Sequence, residues 1–206
     1  MEKNTRFGRK QQEDVWQNAE VDALYRLASA GVRVPQPYNF VDGVLLMELV
    51  TDEHGGAAPR LNDLELTGEQ ALEYHDVLIK EVVRMLCAGI VHGDLSEYNI
   101  LIDVHGPVII DLPQAVDAAA NNNAPKMLER DVNNMAAYFG RFAPELLATS
   151  YGKEIWKIYE SGNLTPDVKL TGHFKSSNKQ ADVGSIMREI NDARDEAIRR
   201  KYEQND

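Results

Sequence analysis

The sequence predicts an α+β protein: a short strand-bearing segment followed by a mainly helical lobe. Three observations predict it. Short β-rich runs at Val41 and at Val44–Val50 flank an Asp42-Gly43 turn. A second pair, Ile100–Ile102 and Val108–Ile110, flanks Val104-His105-Gly106. Apolar residues at helical spacing fill much of the remainder. With 206 residues and 43 % hydrophobic content, the chain can form one domain of ordinary size or one compact lobe with appendages.

Residues 1–13 are polar. From Asp14 to Ala30, the positions Val15, Ala19, Leu24, Leu27 and Ala28 make an approximate helical stripe that Gly31 closes. Val34-Pro35-Gln36-Pro37 then extends the chain into the first pair of strands. Residues 52–68 are polar or turn-rich, with Gly55-Gly56 and Pro59. A longer helix is expected from Gly68 to Ala88, packing through Leu72, His75, Leu78, Ile79, Val82, Val83 and Leu86, with Gly89 ending it. Helical patterns resume at Lys126–Phe142, Glu145–Tyr159 and Asp182–Tyr202, the last highly charged and so solvated or partner-facing. This order divides the chain at 1–50 (strands and first helix), 51–180 (helical lobe) and 181–206 (charged helix).

A formal charge of −11 disfavours a surface built mainly for a nucleic-acid backbone, though it leaves room for a local basic patch. Direct nucleic-acid binding stays open. Cys87 is the one cysteine, so an internal disulfide is excluded, and its place in the apolar run Val82–Ile90 favours a buried thiol over a reactive one. No N-terminal apolar segment resembles a signal peptide and no apolar run approaches ~18 residues, so a cytoplasmic protein without membrane contact is expected.

The chemistry concentrates in Val91-His92-Gly93-Asp94-Leu95-Ser96-Glu97-Tyr98-Asn99 and the following Val108-Ile109-Ile110-Asp111. Asp94, Asn99 and Asp111 stand in an order that phosphoryl-transfer enzymes use. The first carboxylate can orient a hydroxyl and accept its proton, while the amide and the second carboxylate coordinate Mg²⁺. A hairpin between Ile100 and Ile110 would bring Asn99 and Asp111 together from opposite arms. Each residue alone could be ordinary; the spacing of the three points to a site for Mg-ATP.

Other residues carry two readings. His92 fits a turn-supporting role better than that of a base or ligand, because no Cys/His cluster surrounds it. Ser96 serves as a loop cap, a substrate contact or a site of phosphorylation. Met47-Glu48-Leu49-Val50 ends a strand before a polar linker, where backbone groups could meet adenine while Met47 limits pocket depth. Glu20, in the first helix, is either solvated or the partner of an ATP-holding lysine. That lysine is not evident: Lys3, Arg6, Arg9 and Lys10 all lie in a polar segment rather than a strand.

Together these residues resemble the atypical RIO kinase family, closest to its RIO1 branch. The resemblance runs from about Arg6 to Phe142 and includes Trp16, Glu20, Ala30–Pro37, Val44–Glu48 and His92–Asn99. It continues through Ile110-Asp111-Leu112-Pro113-Gln114-Ala115-Val116 and Leu128–Val132. Leu95-Ser96-Glu97-Tyr98-Asn99 together with Ile110-Asp111-Leu112-Pro113-Gln114 is the specific part.

The resemblance implies a protein-kinase-like fold with an incomplete N-terminal lobe. Asp94 becomes the catalytic aspartate, and Asn99 and Asp111 the metal ligands. Asp111 is also where a phospho-aspartate forms during ATP hydrolysis. Glu20 becomes the helix glutamate, and Met47, Glu48 and Val50 the adenine hinge. The cofactors implied are ATP and Mg²⁺, with Mn²⁺ as the alternative ion. The expected activity is a serine/threonine kinase or ATPase acting on a protein substrate or on itself, with a ribosome-assembly connection. Two alternatives remain: a catalytically impaired nucleotide-binding or assembly module, and a small-molecule phosphotransferase. The family's Gly-rich loop and ATP-contacting lysine are expected ahead of Arg6–Lys10, so the resemblance also implies a shortened N-terminal lobe.

Overall fold

The computed structural model describes residues 19–174. Contacts group the chain into a compact unit, Met1–Phe174, and a second unit, Lys175–Asp206. The expected helix at Asp182–Tyr202 and the polar segment with Lys3–Lys10 and Trp16 lie outside the described residues. The first helix, α1, is described over residues 19–29 and is followed by Gly31 at φ 74°. It buries Ala23, Leu24 and Leu27 in the common core.

Strands β1 (Pro37–Val41) and β2 (Val44–Met47) pair antiparallel around Asp42 (φ 52°) and Gly43 (φ 78°). Two consecutive left-handed residues match the twist of a tight hairpin. The expected strand Val44–Val50 stops at Met47: the Glu48 N–H still donates to the Gln36 C=O at 2.8 Å, but the Gln36 N–H turns to the Glu48 carboxylate at 3.0 Å, and Pro35 has no N–H to carry the ladder further.

Helix α2 (Gly68–Cys87) is the long helix expected. Thr67 caps it: its Oγ1 accepts from the Gln70 N–H at 3.2 Å, and Gln70 Oε1 accepts from the Thr67 N–H at 3.0 Å. Its buried face holds Ala71, His75, Leu78, Ile79, Glu81, Val82, Val83, Met85 and Leu86. Cys87 is exposed, which corrects the expected buried thiol. One residue past Leu86 is a rotation of about 100°, which carries the thiol off the core stripe.

Strand β3 (Ile90–Val91) pairs with β6 (Val116–Asp117), and β4 (Ile100–Asp103) pairs with β5 (Gly106–Ile109). Each of the three ladders is two-stranded. The β3–β6 ladder therefore brackets the whole stretch from His92 to Ala115, which holds the β4–β5 hairpin inside it.

Helices α3 (Ala124–Phe139) and α4 (Tyr151–Glu160) complete the lobe. Both expected helices are shorter than their patterns. Gly140 caps α3, and Pro144, lacking an N–H, starts a 3₁₀ segment at Pro144–Ala148 in place of the first turn expected at Glu145. The α3–α4 crossing is close: a Cβ on Gly152 would lie 2.9 Å from the Glu129 Cα. No helix among the described residues is long and apolar enough to cross a membrane.

Candidate active site

The loop from His92 to Asn99 is fixed from beneath by one buried carboxylate. Asp131, on α3 and 1 % exposed, accepts from the Gly93 N–H at 2.7 Å and the Leu95 N–H at 3.3 Å, the residues on either side of Asp94. Arg130 donates to the Gly93 C=O, and Asn134 Nδ2 donates to the Leu95 C=O at 3.3 Å. Burial pushes the Asp131 pKa up to about 6 against the opposing pull of the two N–H groups and Arg130. With its backbone held on both flanks, Asp94 points an exposed side chain out of the loop.

His92 ties this loop to the segment carrying Asp111. The Asp94 N–H donates to His92 Nδ1 at 3.2 Å, so Nδ1 is an acceptor and the proton sits on Nε2. Nε2 then donates to the Ile110 C=O at 3.1 Å. Burial lowers the ring's pKa, despite the Ile110 carbonyl and the carboxylates of Asp94 and Asp111, so the imidazole is neutral. This is the supporting role the His-Gly-Asp turn suggested.

The β4–β5 hairpin brings Asn99 and Asp111 together. Ile100 pairs with Ile109, and one step further the Ile110 N–H donates to the Asn99 C=O at 3.0 Å. Asn99 Nδ2 donates to the Asp94 C=O at 3.0 Å, which leaves Oδ1 as the atom available to a cation. Asp111 is exposed and adopts φ 68°, a left-handed conformation that non-glycine residues enter at a cost of about 1–3 kcal/mol.

Glu20 lies near this carboxylate. Burial first, and then the negative charge of Asp111, raise its pKa, while the Leu112 N–H works the other way. Among the described residues Glu20 has no lysine partner. At the β2 end, the Glu48 N–H donates to the Gln36 C=O at 2.8 Å and the Val50 C=O accepts from Ala58 at 2.9 Å. The Glu48 C=O and the Val50 N–H pair with no backbone group among the described residues. Met47 is exposed beside them, while Val50 is buried against Ala58 and Val108.

The donor set suits Mg²⁺. Among the described residues no cluster of three or more His, Cys, Asp or Glu could hold a metal by itself. Mg²⁺ keeps several waters and takes one or two carboxylates together with phosphate oxygens, so one aspartate and one amide oxygen are a sufficient protein share.

The residues that sequence reasoning missed are supports: Arg33, Glu81, Asp103 and Asn134, whereas Arg130 and Asp131 lie in the Leu128–Val132 stretch that carries the resemblance. Glu81 did leave a signal, a charge on the apolar stripe of α2 between Leu78 and Val82.

The sequence model of the RIO domain matches residues 1–151. The chain belongs to the RIO domain family. It is 41 % identical over 128 residues to the RIO-type serine/threonine-protein kinase Rio1 of Haloferax volcanii, covering 61 % of this chain and 42 % of that protein. It is 37 % identical over 132 residues to the Thermoplasma acidophilum protein of the same name, covering 64 % and 67 %. The Caenorhabditis elegans serine/threonine-protein kinase RIO3 is 33 % identical over 178 residues, covering 82 % and 34 %. These similarities support the RIO1 branch, and the chain spans less than half of the Haloferax relative. The mixed α+β architecture, with limited sheet ahead of a helical lobe, is that of a RIO domain.

Proposed function

We propose that this RIO protein is an Mg-ATP-dependent serine/threonine kinase or ATPase in which Asp94 is the catalytic aspartate. What carries the reading is the hairpin register that sets Asn99 beside Asp111 while the Asn99 amide also holds the Asp94 carbonyl. In the transfer step the Asp94 carboxylate orients a serine or threonine hydroxyl. The hydroxyl oxygen bonds to the γ-phosphorus, the bond to the β–γ bridging oxygen breaks, ADP leaves, and Asp94 takes the hydroxyl proton. Asn99 Oδ1 and the Asp111 carboxylate hold the metal, which when bound neutralises charge on the phosphates. The Glu48 C=O and Val50 N–H would receive the adenine edge, with Met47 limiting the depth of the pocket. When water rather than a protein hydroxyl is the final acceptor, an Asp111 carboxylate oxygen bonds to the γ-phosphorus as the bond to the β–γ bridging oxygen breaks and ADP leaves, and water then cleaves the acyl phosphate to free carboxylate and inorganic phosphate. The substrate is a protein hydroxyl, on a ribosome-assembly partner or on this chain itself.

A second reading has one observation in its favour. Glu20 is charge-coupled to Asp111 and has no lysine partner among the described residues, which suits a module that binds nucleotide and turns over slowly. Release and transfer of labelled phosphate from γ-labelled ATP, with and without Mg²⁺, separate the two. Loss of at least ~100-fold in both Asp94→Asn and Asp111→Asn supports the enzyme. Metal-dependent nucleotide binding with turnover that neither substitution changes supports the binding module.

A further inference from the structure

Two-stranded hairpins have little stability of their own and must be held by what surrounds them. The β4–β5 hairpin carries both proposed metal ligands at its open end, so whatever fixes the hairpin also fixes the ligands. One residue grips it at both ends. Arg33, in the connection between α1 and β1, accepts from the Ile109 N–H through its own C=O at 2.8 Å, two residues before Asp111. Its guanidinium reaches the far end of the same hairpin, where Nη2 donates to both Asp103 carboxylate oxygens at 2.7 and 2.6 Å and Nη1 donates to the His105 C=O at 2.9 Å.

Arg33 is itself anchored to the helical lobe. Its N–H donates to Glu81 Oε2 at 3.0 Å, and Glu81 is 2 % exposed and also paired with Arg84. The Arg33 and Asp103 side chains are 27 % and 16 % exposed, so the ion pair is more sheltered than a surface pair. Asp103 is fixed in turn, since its Oδ1 also accepts from the His105 N–H at 2.7 Å. A chain of hydrogen bonds thus runs from α2 through Glu81 and Arg33 to the tip and the base of the hairpin.

We propose that Arg33 is a positioning residue for the metal arm: by holding Asp103 and His105 at the tip and Ile109 at the base, it sets where Asn99 and Asp111 stand relative to the helical lobe. The proposal rests on the kinase reading for its metal. It gives a role to a residue that touches neither nucleotide nor substrate. Lysine cannot replace this arginine, because an ammonium on a flexible stem does not reproduce a planar fork that spans a carboxylate and a carbonyl together.

The test uses the full chain with Arg33→Lys, Asp103→Asn and, as a remote stability control, Ile155→Val in the fully buried core of α4. The first readout is the Mn²⁺ concentration that half-saturates binding of a fluorescent ATP analogue, measured well below each melting temperature. The second is amide hydrogen exchange at Ile109 and Ile110. Arg33→Lys and Asp103→Asn are expected to raise the half-saturating Mn²⁺ at least ~5-fold and to speed both amides, while metal-free analogue binding stays within ~2-fold. Ile155→Val is expected to lower the melting temperature and move neither readout. Unchanged exchange, or metal dependence within ~2-fold of the parent, overturns the positioning role while leaving the kinase reading intact. A parent chain without metal-linked analogue binding overturns the kinase reading, and the assigned role of Arg33 with it.

Discussion

Replacing His75 with phenylalanine should remove an acid-sensitive share of the fold's stability. His75 is 2 % exposed in α2, its ring centroid 5.8 Å from that of Phe139 and 5.6 Å from that of Tyr151. Its Nε2 has no hydrogen-bond partner among the described residues. Burial therefore lowers its pKa from 6.5 to about 4, with the Asp76 charge opposing. The unfolded chain takes up this proton below pH ~6.5, whereas the folded chain refuses it until about 4. The stabilisation is thus complete above pH ~6.5 and is lost as the pH falls through that window. At 1.36 kcal/mol per unit, the two units between pH 6.5 and 4.5 amount to roughly 2–3 kcal/mol. His92, lowered by burial, acts in the same direction. Asp131 acts oppositely: its raised pKa means that stability falls as the pH rises from ~3.8 toward about 6. Both groups are common to parent and variant, so they cancel in the difference. Urea unfolding followed by circular dichroism at pH 7.5 and 4.5 gives that difference directly. The parent should lose roughly 2–3 kcal/mol more than His75→Phe on acidification. A parent–variant difference that stays the same at both pH values, within ~0.5 kcal/mol, would refute the assignment.

Asp131→Asn should shift stability at neutral pH by no more than about 2 kcal/mol, because one orphaned N–H in the loop is offset by removal of a buried charge. Phosphotransfer by the same variant should fall more than ~10-fold, since a 1 Å shift of the Asp94 loop is costly; denaturation and turnover measured on one sample check both. Gly93→Ala should destabilise by at least ~2 kcal/mol, because Gly93 sits at φ 82° and a Cβ would lie 2.5 Å from the Gln114 C=O and from the Met127 Cε. The melting temperature and soluble yield report it. Cys87 should react fully with a thiol reagent in the native protein, since it is exposed, but more slowly than a free thiol, because partial burial raises its pKa. Native and urea-unfolded labelling rates compare the two.

Local pattern carried most of what the sequence revealed. The stripe from Leu78 to Leu86 with Gly89 behind it located α2. The Asp42-Gly43 and Val104–Gly106 turns located both hairpins, and the second hairpin is what brings Asn99 to Asp111. Errors came where tertiary contact or a single rotation decided the outcome. Cys87 lies in an apolar run yet faces outward, and the pattern from Glu145 to Tyr159 breaks into a 3₁₀ segment and α4. Apart from the Leu128–Val132 stretch, which the resemblance singled out, the supports of the site were illegible for a different reason. Arg33 binds Asp103, 70 positions away, and backbone groups at His105 and Ile109 whose availability no side-chain pattern records. Glu81 was the exception, since a carboxylate on an apolar stripe needs a partner.

The β1–β2 hairpin has a consequence for how this protein behaves in solution. Tyr38, Val41, Val44, Leu46, Met47 and Leu49 are all exposed there, on a ladder whose outer edges carry no further strand among the described residues. Such a surface favours adhesion between molecules. The formal charge of −11 holds them apart, but only over the Debye length, which shrinks from about 30 Å at 0.01 M salt to about 3 Å at 1 M. Colloidal stability therefore rests on ionic strength: dilute buffer keeps the molecules dispersed, and added salt, by screening their charge, brings the apolar hairpins within reach of one another.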